Sequence, residues 1–390
     1  DIEKKDGFKS DVFNIVYGRM IKQKEILQER PNANEYEFGS SLALTGGLAS
    51  LGTGIDRGID VALYKYNRLN GFQKGYARSY IFDDSYVPRL ARNNIERLKK
   101  ENNVDIILLP VGSPTMAAFE ERFKKNGDIA VFFPYSGSEQ FRKSDYANIV
   151  HFKSSYSDEA RALVRFIIKE HGAQKFAFFY QDDDYGLGPL KAAQDELKKN
   201  GITSWHNVSY TREQIYFQDQ AQELRKYNPD AIGFFSTSAP TEELLSQIGA
   251  DVIMGKQLFG ISALETEALN KFLSNRGILI NFTQIVPNPH ESEIQIVQEY
   301  RKDMDERSLP YENTSLEGYI GAQLLFDAYF HIDFPVTKEK LLAWFESFNK
   351  YQFKGLTLTF DPKTRSFNQP MWIKTIDGLW IEVNDKNKPS

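Results

Sequence analysis

Short apolar runs recur along this chain at intervals of roughly 25 to 40 residues, and amphipathic stretches separate them. Runs of this kind are typical of parallel strands buried on both faces, because helices cover both sides of such a sheet. The alternation therefore predicts an α/β fold assembled from strand, helix and strand units. The predicted strands cover residues 36–44, 77–82, 104–109, 129–133, 149–152, 175–180, 231–235, 256–259 and 278–283.

The stretches between these runs carry a helical period. Ile55, Ile59 and Leu63 lie on one side of the first stretch, with charged side chains between them, which indicates a helix that packs one face on a sheet. Gly71 is predicted to end this helix, because glycine tolerates the left-handed conformation. Helices after the strands favour right-handed crossovers and place a ligand at the carboxyl ends of the strands. The predicted helices cover residues 52–70, 87–100, 116–123, 157–171, 190–200, 216–226, 241–249, 292–305 and 315–332.

Three interruptions of this rhythm predict crossings between two lobes, each with its own parallel sheet. They are the serine-rich segment 152–157, the segment 286–289 with its two prolines, and a point after Gly355. The two lobes are therefore expected to be discontinuous in sequence. The expected boundaries are residues 36–153 with 288–356 for the first lobe and residues 154–287 with 357–390 for the second.

The two ends of the chain differ from the rest. The tail, residues 356–383, alternates like antiparallel strands, and Asp377-Gly378 predicts a turn between two of them. Residues 1–35 form a leader in which positions 8–30 have a helical period and mixed charge. We expect a surface helix there or a connector to a membrane anchor or partner. Because the sequence opens at Asp1 without Met, any signal peptide or anchor is expected to have been removed, either by processing or by trimming of the sequence.

Composition excludes several classes of function. The 390 residues include 48 Lys and Arg against 53 Asp and Glu, a net charge of −5, and the basic residues form no stripe that would bind nucleic acid. No run approaches the roughly 18 to 20 apolar residues of a membrane span. The absence of cysteine removes disulfides, thiolate nucleophiles and sulfur ligands for metals.

Catalytic motifs are scarce as well. The five histidines are scattered without the H-E-x-x-H spacing of a zinc site, and neither a G-x-S-x-G elbow nor a phosphate-binding loop with its lysine is present. The glycines at 52, 54 and 58 do not directly follow a predicted strand, as a dinucleotide-binding motif requires. Asp182, Asp183 and Asp184 indicate the polar edge of a loop and not a calcium site, because the glutamate that an EF-hand loop needs is missing. We therefore predict no enzyme activity, no metal and no cofactor.

Hydroxyl-rich clusters follow several predicted strands, where helix N-termini with free N–H groups favour a carboxylate. Because the carboxyl ends of parallel strands meet at one edge, we expect these clusters to converge on a crevice between the lobes. Such a crevice without a catalytic base favours binding over turnover. The candidate residues are Ser113, Thr115, Tyr135, Ser136, Gly137, Asp158, Tyr185, Ser236 and Ser238.

The chain resembles the type I periplasmic binding proteins, in particular the branched-chain amino-acid receptors that serve ABC transporters. The resemblance starts at Tyr36 and covers some 350 residues in order. Its motifs include Leu-Thr-Gly-Gly at 44–47, Phe-Pro-Tyr-Ser-Gly at 133–137, Ser-Tyr-Ser-Asp-Glu at 155–159, Tyr-Gln-Asp-Asp-Asp-Tyr-Gly at 180–186, Thr-Gln-Ile-Val-Pro at 283–287 and Ser-Leu-Glu-Gly-Tyr at 315–319.

This resemblance implies two Rossmann-like lobes that are joined by three strands and close over a ligand. It implies that Ser113, Thr115 and the loop 135–138 receive a ligand carboxylate, and that Asp158 and Tyr185 meet an ammonium group. It also implies contacts from Leu51, Tyr135 and Ser315 to the ligand side chain. Two positions depart from the pattern: Ser262 replaces a glutamate that binds the ammonium group, and Ser238 replaces an aromatic residue.

Together these observations predict an extracytoplasmic solute-binding protein of an ABC transporter. Its expected ligand is a small amino-acid-like or polar carboxylate, and its expected partner is the permease. We expect it in the periplasm or another extracytoplasmic space, with contact to a membrane only through a removed anchor or a partner. The alternative is the ligand-sensing domain of a transmembrane receptor.

Overall fold

The computed structural model describes residues 34–383 and shows an α/β protein with two lobes. The strands are β1 Glu35–Leu42, β2 Tyr76–Asp83, β3 Ile106–Leu108, β4 Ala130–Phe132, β5 Ile149–Val150, β6 Phe176–Gln181, β7 Trp205–Tyr210, β8 Ala231–Phe235, β9 Gln257–Gly260, β10 Asn281–Gln284, β11 Tyr351–Phe353, β12 Leu356–Asp361, β13 Ser366–Asn368, β14 Trp372–Lys374 and β15 Trp380–Glu382. The helices are α1 Ala49–Lys74, α2 Pro88–Lys100, α3 Ser113–Ala117, α4 Tyr156–His171, α5 Leu187–Lys199, α6 Gln218–Tyr227, α7 Ser238–Ile248, α8 Ala250–Ile253, α9 Glu267–Arg276, α10 Gln295–Asp305, α11 Asn313–His331 and α12 Lys338–Glu346.

The first lobe contains a five-stranded sheet in the order β2-β1-β3-β4-β5. All its neighbouring strands are parallel, with Phe38 of β1 opposite Ser79 of β2 and Gly39 opposite Ile107 of β3. The central strands are buried along their whole length, which explains their uninterrupted apolar sequence.

The second lobe contains a seven-stranded sheet in the order β15-β14-β10-β9-β8-β6-β7. Its strands from β6 to β10 are parallel. The chain later returns to add β14 antiparallel to β10, and β15 then pairs antiparallel with β14. A small antiparallel sheet, β11-β12-β13, lies near the first crossing, where His151 forms a bridge with Ser366. The predicted lobe boundaries remain a prediction.

Two glycines allow α1 and α11 to pack closely across the first lobe. A Cβ atom on Gly58 would overlap the carbonyl oxygen of Ser315, and one on Gly318 would overlap the carbonyl oxygen of Ile55. The helix backbones therefore touch at this crossing, where any side chain would force them apart.

Every predicted strand and helix overlaps an element of the structure, but some details were wrong. Gly71 does not end α1, which continues to Lys74 and stops at Gly75, where φ is 114°. The predicted helix 116–123 is instead the short α3 followed by a separate 3₁₀ turn, Glu120–Phe123. The turn at Asp377-Gly378 is confirmed, with the Gly378 N–H bonded to the Thr375 carbonyl.

Five elements were missed: β7, β11, α8, α9 and α12. Strand β7 lies at the edge of its sheet, and buried positions occur only in its second half, so it lacks a continuous apolar run. The leader prediction for residues 8–30 lies outside the described residues. Across residues 34–383, none of the helices combines the length and the apolar character that crossing a membrane requires.

Candidate functional site

A cavity of about 10 Å³ lies between the lobes at the carboxyl ends of the parallel strands, and we call it the inner cavity. It has room for about one water molecule, so the cleft is closed. The first lobe contributes loops after β1, β2, β3 and β4, and the second lobe contributes loops after β6, β8 and β9. The wall consists of Leu48, Leu51, Tyr86, Val111, Gly112, Tyr135, Tyr156, Tyr185, Thr237 and Ala263.

Tyrosines dominate this wall. The rings of Tyr156 and Tyr185 meet edge to face with their centroids 5.3 Å apart, and the Tyr185 hydroxyl donates to the Ser236 carbonyl at 3.0 Å. Burial raises the pKa of Tyr135 and of Tyr185 well above the usual value, so both hydroxyls stay neutral. The inner cavity is therefore aromatic, with neutral hydroxyl groups as its polar contacts.

Two serine hydroxyls lie behind the wall of the first lobe. Ser113 begins α3 directly after the wall residue Gly112, and its Oγ lies 2.8 Å from the Oγ of Ser136, which follows Tyr135. Both serines are completely buried. Thr115 is different, because its hydroxyl already donates to the carbonyl of Gly112 at 2.8 Å. The structure thus brings Ser113 and Ser136 together and turns the Thr115 hydroxyl towards its own helix.

A buried charged cluster lies behind Tyr135 and Ala263. Lys153 is completely buried, and its Nζ donates to Ser262 Oγ at 2.7 Å and lies 3.5 Å from Glu317 Oε2. The ammonium group also lies 4.3 Å from the centre of the Tyr135 ring. Burial raises the pKa of Glu317 to about 7, and the positive charge of Lys153 opposes that rise.

Glu159 of α4 joins the same cluster from the second lobe. Its Oε2 accepts the Ser262 N–H at 2.8 Å and the Thr283 hydroxyl at 2.5 Å. Its Oε1 is buried and has no hydrogen-bond partner among the described residues. Because Ser262 touches both Glu159 and Lys153, it connects the two charged side chains.

A larger pocket of about 520 Å³ lies at the mouth of the cleft, and we call it the outer pocket. Tyr86 and Thr237 line both this pocket and the inner cavity, so the two are adjacent. Arg212 supplies positive charge to the outer pocket and pairs with Asp183 at 3.2 Å. Gln181 donates to the Tyr86 hydroxyl at 3.1 Å and so joins the two lobes. The pocket has a volume typical of small-molecule sites.

Two further contacts hold the lobes together. Asn313, at the start of α11, donates to Glu265 Oε2 at 3.1 Å, and the Ala268 N–H donates to Ser50 Oγ at 3.3 Å. Next to Asn313, burial and then a hydrogen bond with Glu267 raise the pKa of Glu312 to about 7. These contacts lie beside α1 and α9 and describe a closed arrangement of the lobes.

The structure places the predicted site residues in three groups. Leu51, Tyr135 and Tyr185 form part of the wall of the inner cavity. Ser113, Ser136, Gly137, Ser236, Ser238 and Ser262 are close neighbours of that wall in sequence, all of them buried. The third group is Thr115, which is buried but bonded to nearby backbone, Asp158, which follows Tyr156 but is exposed, and Ser315, which is far from the wall in sequence.

Asp158 and Ser315 lie away from the inner cavity for different reasons. The side chain of Asp158 is 53% exposed, pairs with Arg161 at 3.0 Å and faces a surface groove of about 1420 Å³, which shares only Tyr156 with the wall of the inner cavity. Ser315 is completely buried, and its Oγ lies 2.6 Å from the Tyr300 hydroxyl within the first lobe. The structure therefore does not bring Asp158 next to Tyr185.

Sequence reasoning missed Tyr86, Lys153 and Glu159. Tyr86 lines the inner cavity and has a positive φ of 61°, and no sequence pattern indicated either. Lys153 could have been noticed as a lone charge directly after a buried strand, within a predicted crossing. Within residues 34–383, no group of three or more His, Asp or Glu side chains could hold a metal ion.

Two parallel-sheet lobes that close over a cleft define a hinged ligand-binding protein. The sequence profile described as periplasmic binding protein matches residues 35–381, and the chain belongs to this family. The Leu/Ile/Val-binding protein homolog 7 of Brucella abortus is 21% identical over 313 residues, which cover 76% of this chain and 77% of that protein. These relatives are solute-binding proteins and not enzymes.

Solved structures share the fold. A possible leucine/isoleucine/valine-binding protein from Rhodopirellula baltica is 24% identical with a TM-score of 0.81, and the match covers 92% of this chain and 99% of that one. An ABC transporter solute-binding protein from R. palustris in complex with benzoate is 15% identical with a TM-score of 0.74, and the match covers 90% and 96%. The two-lobed fold with parallel sheets, predicted from the sequence, is confirmed.

Proposed function

We propose that this protein is the extracytoplasmic solute-binding component of an ABC transporter and that it binds a small carboxylate between its lobes. It works in the periplasm or at the outer face of a membrane and delivers its ligand to a permease. The names of the relatives support this class of ligand, because leucine, isoleucine, valine and benzoate all carry a carboxylate group.

The observation that carries the proposal is the pair of buried hydroxyls, Ser113 and Ser136, beside the aromatic inner cavity. They bond to each other at 2.8 Å, and each hydroxyl oxygen retains further hydrogen-bonding capacity. When the cleft opens and closes again around a ligand, both can turn towards a carboxylate, and the tyrosine rings can cover its apolar part. Hinge closure then presents the ligand-bound surface to the permease.

A binding screen tests the ligand class. The protein is unfolded, refolded to remove any retained ligand, and heated with branched-chain and aromatic amino acids, short fatty acids and aromatic acids. A ligand that binds only the folded state raises the melting temperature. We expect such a rise with a carboxylate, and the absence of a rise with every carboxylate would contradict the proposal.

Ser113→Ala tests the hydroxyl pair directly. Because a hydrogen bond to a charged group contributes about 1.5 to 3 kcal/mol, we expect the dissociation constant of the carboxylate to rise at least about tenfold, as measured by calorimetry. Ser246→Ala is the matched control, since this exposed serine on α7 bonds only to the Glu242 carbonyl. Equal affinity in both variants would remove Ser113 from the binding site.

Uptake measurements test the transport role. Deletion of the gene in the source organism should lower uptake of the labelled ligand, and the wild-type gene should restore it. Normal uptake with a lost transcriptional or behavioural response to the ligand would instead indicate the sensing domain of a receptor.

A further inference from the structure

Lys153 is a buried cation at the junction of the two lobes. It follows β5 in the first crossing, and its side chain has no exposed surface. Its ammonium group contacts the first lobe through Glu317 and the ring of Tyr135, and the second lobe through Ser262. A fully buried lysine is rare unless it is paired.

This cation lies directly behind the wall of the inner cavity. Tyr135 is a wall residue whose ring centre lies 4.3 Å from the Lys153 Nζ. Ala263, another wall residue, follows Ser262, which accepts the Lys153 hydrogen bond at 2.7 Å. A ligand that enters the inner cavity therefore comes close to a resident positive charge.

Both carboxylates of this cluster already have partners, although Glu159 Oε1 has none among the described residues. Glu317 pairs with Lys153 at 3.5 Å, and Glu159 accepts hydrogen bonds from Ser262 and Thr283. An ammonium group brought in by a ligand would have to share Glu317 with Lys153, or bind Glu159 on the other side of Ser262. Two like charges at close range in a poorly hydrated site repel each other strongly.

We propose, on the basis of the proposed function, that Lys153 is a specificity-determining residue that selects carboxylates without an amino group and rejects α-amino acids. Its ammonium group supplies a buried cation beside the inner cavity and attracts a carboxylate. The contacts support this, because Lys153 already occupies the position next to Glu317 and Ser262 that the ammonium group of an amino acid would need.

The competing possibility is that the amino group of a ligand binds to Glu159. Glu159 Oε1 has no hydrogen-bond partner within the described part of the chain, and an amine ligand would bind there if Lys153 did not exclude it. The experiment must therefore compare ligands that differ only in the amino group.

Two matched ligand pairs provide this comparison: 4-methylpentanoate with L-leucine, and 3-phenylpropanoate with L-phenylalanine. Calorimetry on the refolded wild-type protein should show that at least one acid without an amino group binds at least about 100-fold more tightly than its amino acid, since like charges cost several kcal/mol. Equal or tighter binding of the amino acids would overturn this inference and leave the proposed function intact. If no carboxylate binds at all, both fail.

Variants of Lys153 give a second readout. Lys153→Ala removes both the charge and the side-chain volume beside Glu159 and Glu317. We expect its preference for acids over amino acids to fall at least about tenfold, and ethylammonium chloride to raise its melting temperature by refilling the vacated site. Wild-type protein and a sodium chloride control should not respond. An unchanged preference in Lys153→Ala would overturn the inference.

Lys153→Met covers the case in which the alanine variant does not fold. Methionine keeps much of the side-chain volume without the charge, so we expect the discrimination between the matched ligands to weaken while ethylammonium has no effect. Full retention of the wild-type preference in this variant would show that the charge of Lys153 does not set specificity.

Discussion

His151 is a buried histidine whose environment keeps it uncharged. It has no exposed surface, and its Nε2 lies 3.2 Å from the Phe141 carbonyl. Burial lowers its pKa well below 6.5, and the positive charge of Arg142 lowers it further. A neutral buried histidine makes the stability of the fold sensitive to acid.

We predict that His151 lowers the free energy of unfolding by about 2 kcal/mol when the pH falls from 7.5 to 5. Below about pH 6.5 the unfolded chain binds a proton at this residue and the folded chain does not, so acid favours the unfolded state. Urea unfolding at both pH values should show that His151→Gln loses less stability on acidification than the wild type.

The exposed His290 provides the control for this measurement. His290→Gln should show the same pH dependence as the wild type. If His151→Gln shows the same pH dependence as the wild type, His151 takes up a proton in the folded state and the prediction fails.

Asp158 and Glu159 show what the sequence can and cannot predict about a single residue. The pattern around Ser155 predicted a helix start, and the Ser155 side chain indeed caps α4 by accepting the Asp158 N–H. Neighbouring residues on a helix point about 100° apart. The rotation of α4 against its sheet decides which carboxylate faces the cluster, and it turns Glu159 inward and Asp158 outward. That rotation depends on packing that no local pattern encodes.

At the scale of elements, the contact between α1 and α11 depends on Gly58 and Gly318. We predict that Gly58→Ala or Gly318→Ala lowers the free energy of unfolding by about 1 to 3 kcal/mol, because the added methyl group overlaps a backbone carbonyl oxygen. Thermal or urea unfolding measures the effect.

Gly188, in the first turn of α5, is the matched control, because nothing lies within 4 Å of its Cβ position. Gly188→Ala should be neutral or stabilise the protein by up to about 1 kcal/mol, since alanine has the higher helix propensity. If all three variants behave alike, the close approach of α1 and α11 does not limit stability.

The success of the strand predictions has a physical reason. Strands such as β3, β4 and β8 are buried on both faces, so every position is apolar and the run is visible in the sequence. Strand β7 pairs with a single neighbour at the sheet edge. Its exposed positions are polar, so it has no continuous apolar run in the sequence. The order of the strands and the antiparallel addition of β14 depend on long-range pairing, which apolar runs do not reveal.

At the scale of the whole molecule, the contact between Ser50 and Ala268 reports the closed arrangement. We predict that the Ser50→Cys, Ala268→Cys variant forms a disulfide under mild oxidation, because the two residues are in contact across the cleft, with the Ala268 backbone nitrogen 3.3 Å from Ser50 Oγ. The natural chain has no cysteine, so no other pairing competes. Gel mobility and mass spectrometry detect the link.

Each single-cysteine variant serves as a control and should form no disulfide within the chain. Addition of the ligand should speed the formation of the disulfide in the double variant if ligand binding favours closure. A double variant that stays reduced with and without ligand would show that the lobes do not reach this arrangement in solution.

The return of the chain to add β14 beside β10 has a consequence for biosynthesis. Residues 281–284 of β10 are made long before residues 372–374 of β14, and during that interval one edge of β10 has no partner. An unpaired strand edge can recruit strands from other chains. The pairing of β10 is thus completed only after residues 372–374 have been made, and a product truncated before β14 would leave the ribosome with an aggregation-prone edge.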